Sequence, residues 1–228
     1  MHGGRPHILV AGAGIIGLWQ AVLLLRAGFQ VTLCDRCADP SASNASQYAG
    51  AMLAPWCEAE ASPALVRDLG IRGLAIWQST YPGVVTSGSL VIAPIRDRSE
   101  LVRFGKRTDG FVPVDADALN ELEPELEGRF HEALFFENEA HMSAHGALEF
   151  LLDHVRANGG EIRFGADDYN TLIAGGDNNP AYDIVIDARG LDAQDQLPDL
   201  RGVRGERVLV MSRDVRLKRP IRLLHPRH

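Results

Sequence analysis

Four residues near the start of the chain have types and spacing that could do chemistry. Gly12, Gly14 and Gly17 stand in the run Gly12-Ala13-Gly14-Ile15-Ile16-Gly17, and Asp35 follows. A G-x-G-x-x-G run with an acid at this distance is the fingerprint of a dinucleotide cradle, provided a strand precedes it and a helix follows. Each position has a physical duty. Gly12 permits the tight strand-to-helix turn, Gly14 leaves bare backbone for a pyrophosphate, and Gly17 lets the helix pack close to the strand. The helix N-terminus offers unpaired N–H groups and the positive end of the helix dipole to phosphates. Asp35 can accept hydrogen bonds from both ribose hydroxyls, and its charge would repel a 2′-phosphate, which disfavours NADP. The run by itself does not separate FAD from NAD.

The elements needed to position these residues are legible around them. His7 to Ala11 reads as a short buried strand, and a helix runs from the glycines to about Ala27. Gly28 is placed to end that helix in the left-handed conformation. Gln30 to Cys34 gives a second strand with Asp35 at its C-terminal end, completing a βαβ unit. Asp39 to Ser46 is a loop of small residues. Ser62-Pro63 reads as a helix start, with a capping hydroxyl and proline at the first helical position, for a helix to about Tyr81. Strands are expected at Ser87–Ile95, Ala133–Phe136, Glu161–Gly165, Ile184–Asp187 and Arg207–Met211. A short helix is expected at Asp115–Leu122, before Pro124, and a longer one from Ser143 to Gly159-Gly160. Strands and helices alternate at the two ends of the chain, with a different pattern between, which predicts two interleaved domains.

Composition excludes several classes. The chain has 228 residues, 46% apolar and 23% charged, with a formal net charge of −7, so no basic surface for nucleic acid or an anionic membrane is expected. Ile8 to Leu25 is apolar enough to suggest a membrane span, but its glycines would leave backbone groups that lipid cannot satisfy. Cys34, Cys37 and Cys57 are too few and too uneven for a secreted disulfide scaffold, so a reducing cytoplasm is expected. Cys34-x-x-Cys37 has no second pair to complete a metal site, and Cys34 points inward from a strand; it reads as structural. His141 and His145 lack the glutamate of an H-E-x-x-H helix, so no metal is expected.

Further segments carry a family resemblance. Ala45-Ser46-Gln47-Tyr48-Ala49-Gly50-Ala51-Met52-Leu53-Ala54-Pro55 resembles the "AS-x-x-AG-x-MLAP" signature of the glycine oxidases of thiamine biosynthesis, within the D-amino acid oxidase family of flavoproteins. Leu122-Glu123-Pro124, Glu139-Ala140-His141 and Asp183 to Gly190 resemble that family's middle section and its second flavin-domain strand. Gly202 to Glu206, Arg219 to Arg222 and His225-Pro226-Arg227 resemble the stretch before its substrate-site strands. The resemblance implies an α/β fold: a Rossmann-like FAD-binding domain from residues 1–81 and 138–200, interleaved with a sheet-based substrate domain from 82–137 and 201–228.

The resemblance also implies site residues. Gly12, Ala13, Gly14, Ile15, Ile16 and Gly17 would lie on the pyrophosphate, and Asp35 and Arg36 on the adenosine ribose. Asn44, Ala45 and Ser46 would line the extended middle of FAD. Ala49, Gly50 and Ala51 would bring their backbone to the flavin ring, and Ala188 and Gly190 would complete the cofactor-binding set. In the family, an amino acid substrate gives up its Cα hydride to flavin N5. The product is an imine, glyoxyl imine for glycine, used in thiazole assembly, and dioxygen reoxidises the flavin.

The chain departs from this pattern in two places. Family members continue well past the position of His228. The arginine that grips the substrate carboxylate, its neighbouring tyrosine, and the last flavin-domain strand and helix would lie there, so no catalytic residue is assigned. The resemblance therefore predicts an incomplete fold at the C-terminus, with weak or absent FAD retention by this chain alone. It leaves open a complementing C-terminal chain or a homo-oligomer, and equally an inactive truncated flavoprotein. Asp167-Asp168 stands where the family offers an apolar residue to adenine. A related D-amino acid or sarcosine-type oxidase is the alternative to glycine oxidation.

Overall fold

The computed structural model describes residues 5–40, 44–166, 168–174 and 181–225. Asp167, Pro226 and Arg227 therefore lie outside the described residues. In chain order, β1 (His7–Ala11), α1 (Ile15–Arg26) and β2 (Gln30–Asp35) come first. After them come β3 (Met52–Leu53), α2 (Pro55–Glu58), α3 (Ala64–Thr80), β4 (Ser89–Ile92), α4 (Arg98–Gly105), β5 (Val112–Asp115), α5 (Ala116–Leu122), β6 (Glu132–Phe136) and β7 (Ala140–His141). The chain continues with α6 (Ala144–Ala157), β8 (Glu161–Phe164), α7 (Tyr169–Ala174), β9 (Ile184–Asp187) and β10 (Ile221–Leu223). Two compact units result, one from residues 1–50 and 144–207, the other from 51–143 and 208–228.

The first unit holds a parallel sheet in the order β8-β2-β1-β9. β1 lies between β2 and β9, and its residues Ile8 to Ala11 are buried, as a central parallel strand requires. Leu9, Ala11 and Cys34 share one face with Tyr169, Leu172 and Tyr182. α1 packs on α6, burying Leu18, Ala21 and Val22 from one helix and Leu148, Leu151 and Val155 from the other. Gly28 takes φ +87°, the left-handed turn expected after α1, and its N–H donates to Leu25 O.

The second unit holds a mixed sheet, β10-β4-β6-β5, in which only β10 and β4 are parallel. Val91, Leu134 and Phe136 meet Leu101 and Phe104 of α4 on one face. Leu90, Ile92 and Ala133 meet Leu119 of α5 on the other. A separate antiparallel pair, β3-β7, sets Met52 opposite His141.

Three expectations need correction. Arg207–Met211 is not a strand. A strand needs a neighbour to take its N–H and C=O groups; no described strand runs beside these residues, and Val208 to Met211 are exposed. Ser62 does not cap α3: Pro63 occupies the N-cap position with an extended backbone, and the helix begins at Ala64. The strand read at Ser87–Ile95 is only Ser89–Ile92, because Gly88 turns at φ +74° before it and Pro94 leads into a 3-10 turn after it. The compact units divide near residues 50, 143 and 207. Helix α3 belongs to the second unit because it packs on α2, where Gly70 lies against Pro55.

Candidate cofactor cleft

The site begins where β1 ends. Gly12 takes φ +103°, and a Cβ there would lie 2.5 Å from Ala188 O. Its surroundings are crowded because β9 runs beside β1, and the Ala188 N–H donates to Ala11 O at 2.7 Å. A Cβ on Gly17 would lie 1.8 Å from Gly12 O, so the first turn of α1 presses directly on the loop. These two glycines are therefore sterically compelled. Gly14 is different: a Cβ there would meet Ser46 Oγ at 3.4 Å and no other atom within 4 Å. What an added methyl would take from Gly14 is access to its backbone.

Asp35 is aimed by the backbone around it. Ala13 N–H donates to Asp35 Oδ2 at 2.8 Å, and Cys37 N–H donates to Oδ1 at 2.9 Å. Each oxygen keeps a lone pair for another donor. The next loop is set by Asn44. Its Oδ1 accepts the Gln47 N–H at 2.9 Å and its Nδ2 donates to Pro40 O at 2.8 Å, which builds the 3-10 turn Ala45–Tyr48. That turn carries Ser46 to the start of α1, where its Oγ accepts the Ile15 N–H at 3.1 Å.

The structure brings Gly12, Gly14, Ile15, Ile16, Asp35, Arg36, Asn44, Ala45, Ser46, Ala188 and Gly190 to the lining of one cleft of about 290 Å³ at the C-terminal edge of the parallel sheet. Open α/β sheets bind ligands at this edge. Ala13 and Gly17 do not line it; both are buried, one behind the Asp35 carboxylate and one beneath the loop. Ala49, Gly50 and Ala51 do not line it either. Ala49 O accepts a hydrogen bond from Arg207 Nη1 at 2.5 Å. Ala51 has φ +52°, the one non-glycine among the described residues with positive φ, a conformation that strains a residue with a Cβ. A second cavity, about 390 Å³, touches Asn44 but is floored by Leu18, Leu148 and Leu152.

Sequence reasoning missed part of the wall. Tyr169, Cys37, Leu191, Arg189 and Asp192 also line the cleft. The nearly buried Arg189 guanidinium pairs with Asp187 at 2.7 Å and Asp195 at 2.8 Å. Burial opposes ionisation of Asp187, but the Arg189 hydrogen bonds outweigh it and hold the carboxyl below its ordinary range. Arg36 pairs with Asp192 at 3.0 Å on the rim. The i, i+2 spacing of Asp187 and Arg189 after an apolar strand was the available signal. Burial, aided by the nearby Asp35 charge, pushes the Cys34 thiol up to about 12, so it stays protonated at neutral pH. Cys34 and Cys37 are both free thiols. No helix among the described residues is long and apolar enough to cross a membrane.

The arrangement suits a nucleoside diphosphate: bare backbone and helix N–H groups for phosphate, and an oriented carboxylate for vicinal hydroxyls. Comparison with known proteins agrees. Residues 7–227 match the family described as FAD dependent oxidoreductase (DAO). Over 226 residues the chain is 44% identical to a Rhizobium etli protein provisionally named as the thiamine biosynthesis oxidoreductase ThiO. That match takes in 97% of this chain and 65% of the relative, so the chain spans somewhat less than two thirds of the relative's length. The fold is similar to that of glycine oxidase from Geobacillus kaustophilus, with a TM-score of 0.64 and 17% identity over 83% of this chain and 57% of that one. It is also similar to FAD-bound L-alpha-glycerophosphate oxidase from Mycoplasma pneumoniae, with a TM-score of 0.59 and 18% identity over 71% of this chain and 45% of that one.

Proposed function

Because this chain belongs to the FAD dependent oxidoreductase family, we propose that its first unit holds the adenosine diphosphate half of FAD and that the protein serves amino acid oxidation of the glycine oxidase type. The observation that carries the reading is the cleft itself: two compelled glycines, a bare Gly14 and an Asp35 carboxylate held by two N–H groups, all at one sheet edge.

In this reading the N-terminus of α1 faces the pyrophosphate and Asp35 takes the ribose hydroxyls. Arg36, beside Asp35 in the chain and on the cleft rim, takes the ribose side; its pairing with Asp192 sets where its guanidinium lies. Asn44 holds the turn whose Ala45 and Ser46 border the middle of the cofactor, and Ala188 and Gly190 close the far wall. Ala49, Gly50 and Ala51 offer backbone groups to the ring. Bound FAD supplies a two-electron acceptor for the Cα–H bond of an amine. The chain's own part is to bind and orient.

Glycine as substrate, with an imine product for thiazole assembly, is supported by the 44% identity to the relative named for thiamine biosynthesis. Cytoplasmic location is supported by three free cysteines, Cys34 and Cys57 among them buried. Substrate profiling of the protein with a full-length relative as reference tests the finer claim. Glycine turnover above that of sarcosine and D-proline supports it; turnover of D-proline or sarcosine well above glycine overturns it.

A further inference from the structure

The stretch after β9 supplies five residues to the lining of the cofactor cleft, Ala188 to Asp192. Little apolar packing holds it: within the 3-10 turn Gly190–Asp195 only Ala193 is buried. The polar tie is Arg189. Its Nε and Nη2 donate to Asp187 Oδ1 at 3.0 Å and Oδ2 at 2.7 Å. Its Nη1 and Nη2 donate to Asp195 Oδ2 at 3.1 Å and Oδ1 at 2.8 Å. Asp187 closes β9, in register with Ala11 of β1, and Asp195 closes the turn. One guanidinium therefore forks onto a carboxylate at each end of the wall. The Arg189 backbone N–H also donates to Asp187 Oδ1 at 3.1 Å, which fixes the main chain at the corner. A Cβ on Gly12 would stand 3.0 Å from Arg189 Cα, so that corner abuts the glycine loop itself.

A guanidinium has five N–H donors. Those of Nε and Nη2, and one of Nη1, go to these two carboxylates, so Arg189 is poorly equipped to grip a ligand and well placed to brace a wall. We infer that Arg189 is a positioning residue: held between Asp187 and Asp195, it keeps segment 188–192 in place as a fixed wall of the cleft. This rests on the reading of the cleft as the site of the adenosine diphosphate half of FAD. The brace extends to the rim, where Asp192, carried on the same turn, pairs with Arg36 at 3.0 Å. The Arg189 hydrogen bonds hold the Asp195 carboxyl below its ordinary range, so the strut stays charged at neutral pH. Lysine is no substitute, because an ammonium group has no planar fork to share between two carboxylates.

The test compares wild type with Arg189→Gln, Arg189→Lys and Asp195→Ala by amide hydrogen exchange and by ADP titration. The exchange probes are the Gln196 and Leu197 N–H groups, which donate to Ala193 O at 3.0 and 2.8 Å. Arg189→Gln and Asp195→Ala are expected to speed their exchange by about tenfold, with Leu33 and Cys34 of β2 unchanged. Arg189→Lys falls between wild type and Arg189→Gln. The ADP dissociation constant is expected to rise about tenfold in Arg189→Gln and about threefold in Asp195→Ala. The second variant fixes the sign. Asp195 does not line the cleft, and its loss removes a negative charge. A purely electrostatic effect would tighten the binding of anionic ADP; the brace predicts weaker binding. Asp195 is half-exposed, so Asp195→Ala decides if Arg189→Gln does not fold. Unchanged exchange or tighter ADP binding in Asp195→Ala overturns the proposal. So does ADP binding that Gly14→Ala weakens and these variants do not. ADP binding that neither Gly14→Ala nor these variants alter overturns the cofactor reading instead, and the exchange rates then decide by themselves whether Arg189 fixes the segment.

Discussion

Ser46 Oγ accepts the backbone N–H of Ile15 at 3.1 Å, across 31 residues of chain. The first N–H of α1 is thus met by a side chain from a separate loop, because Gly14 at the N-cap has none to offer. A phosphate at this helix end has Ile15, Ile16 and the loop carrying Ser46 as its neighbours, so Ser46 belongs both to the fold and to the cleft.

Ser46→Ala leaves that N–H to water. The expected loss is about 1 kcal/mol of unfolding free energy, the usual value of a lost helix cap. Urea unfolding followed by far-UV circular dichroism measures it. An unchanged midpoint would show that the bond contributes nothing.

The glycines separate by role. Gly17→Ala places a methyl 1.8 Å from a backbone oxygen and is expected to remove more than about 3 kcal/mol of stability or to abolish folding. Gly14→Ala finds space and is expected to fold with near wild-type stability while binding ADP roughly tenfold more weakly, about 1.4 kcal/mol. Thermal melts and ADP titration of the two variants check this, and equal loss of stability in both would contradict it.

The proposed place of Asp35 on the ribose hydroxyls carries a preference against a 2′-phosphate. Asp35→Asn keeps the shape and removes the charge, so affinity for ADP should fall by roughly tenfold to a hundredfold, the value of a charge-assisted hydrogen bond. Discrimination between ADP and its 2′-phosphorylated analogue should narrow in the same variant. Isothermal titration with both ligands gives the comparison.

His141 gives a pH dependence. Burial lowers its pKa below the ordinary 6.5. The folded state then binds fewer protons than the unfolded state, so its contribution is complete above pH 6.5 and is lost as pH falls through the depressed value. Unfolding free energy should decline between pH 7.5 and pH 5, and the decline should be shallower in His141→Gln. Parallel pH profiles of the two proteins would contradict the assignment.

Much of the first unit was legible because its signals are local. The strand at His7–Ala11, the glycine run, the turn at Gly28 and the strand ending in Asp35 need only neighbours in sequence to be read. The parts that were not legible depend on pieces distant in sequence. Arg189 becomes a buried wall only when β9 docks beside β1, which crowds Gly12 and turns Arg189 between Asp187 and Asp195. The pairing of Arg36 with Asp192 has the same origin. Ala51 carries no glycine to advertise its positive φ, so its strain appears only in three dimensions. Arg207–Met211 shows the opposite failure: an apolar run with strand propensity lacks the neighbour that would make it a strand.

The central claim is that the cleft at the edge of β1, β2 and β9 takes the adenosine diphosphate half of FAD. Titration of the 228-residue chain with FAD, followed by flavin fluorescence and challenged with ADP, tests it most directly. The account predicts saturable, reversible FAD binding that ADP displaces and that Gly14→Ala and Asp35→Asn weaken. FAD or ADP binding that neither substitution alters, or FAD binding that ADP does not displace, would contradict it.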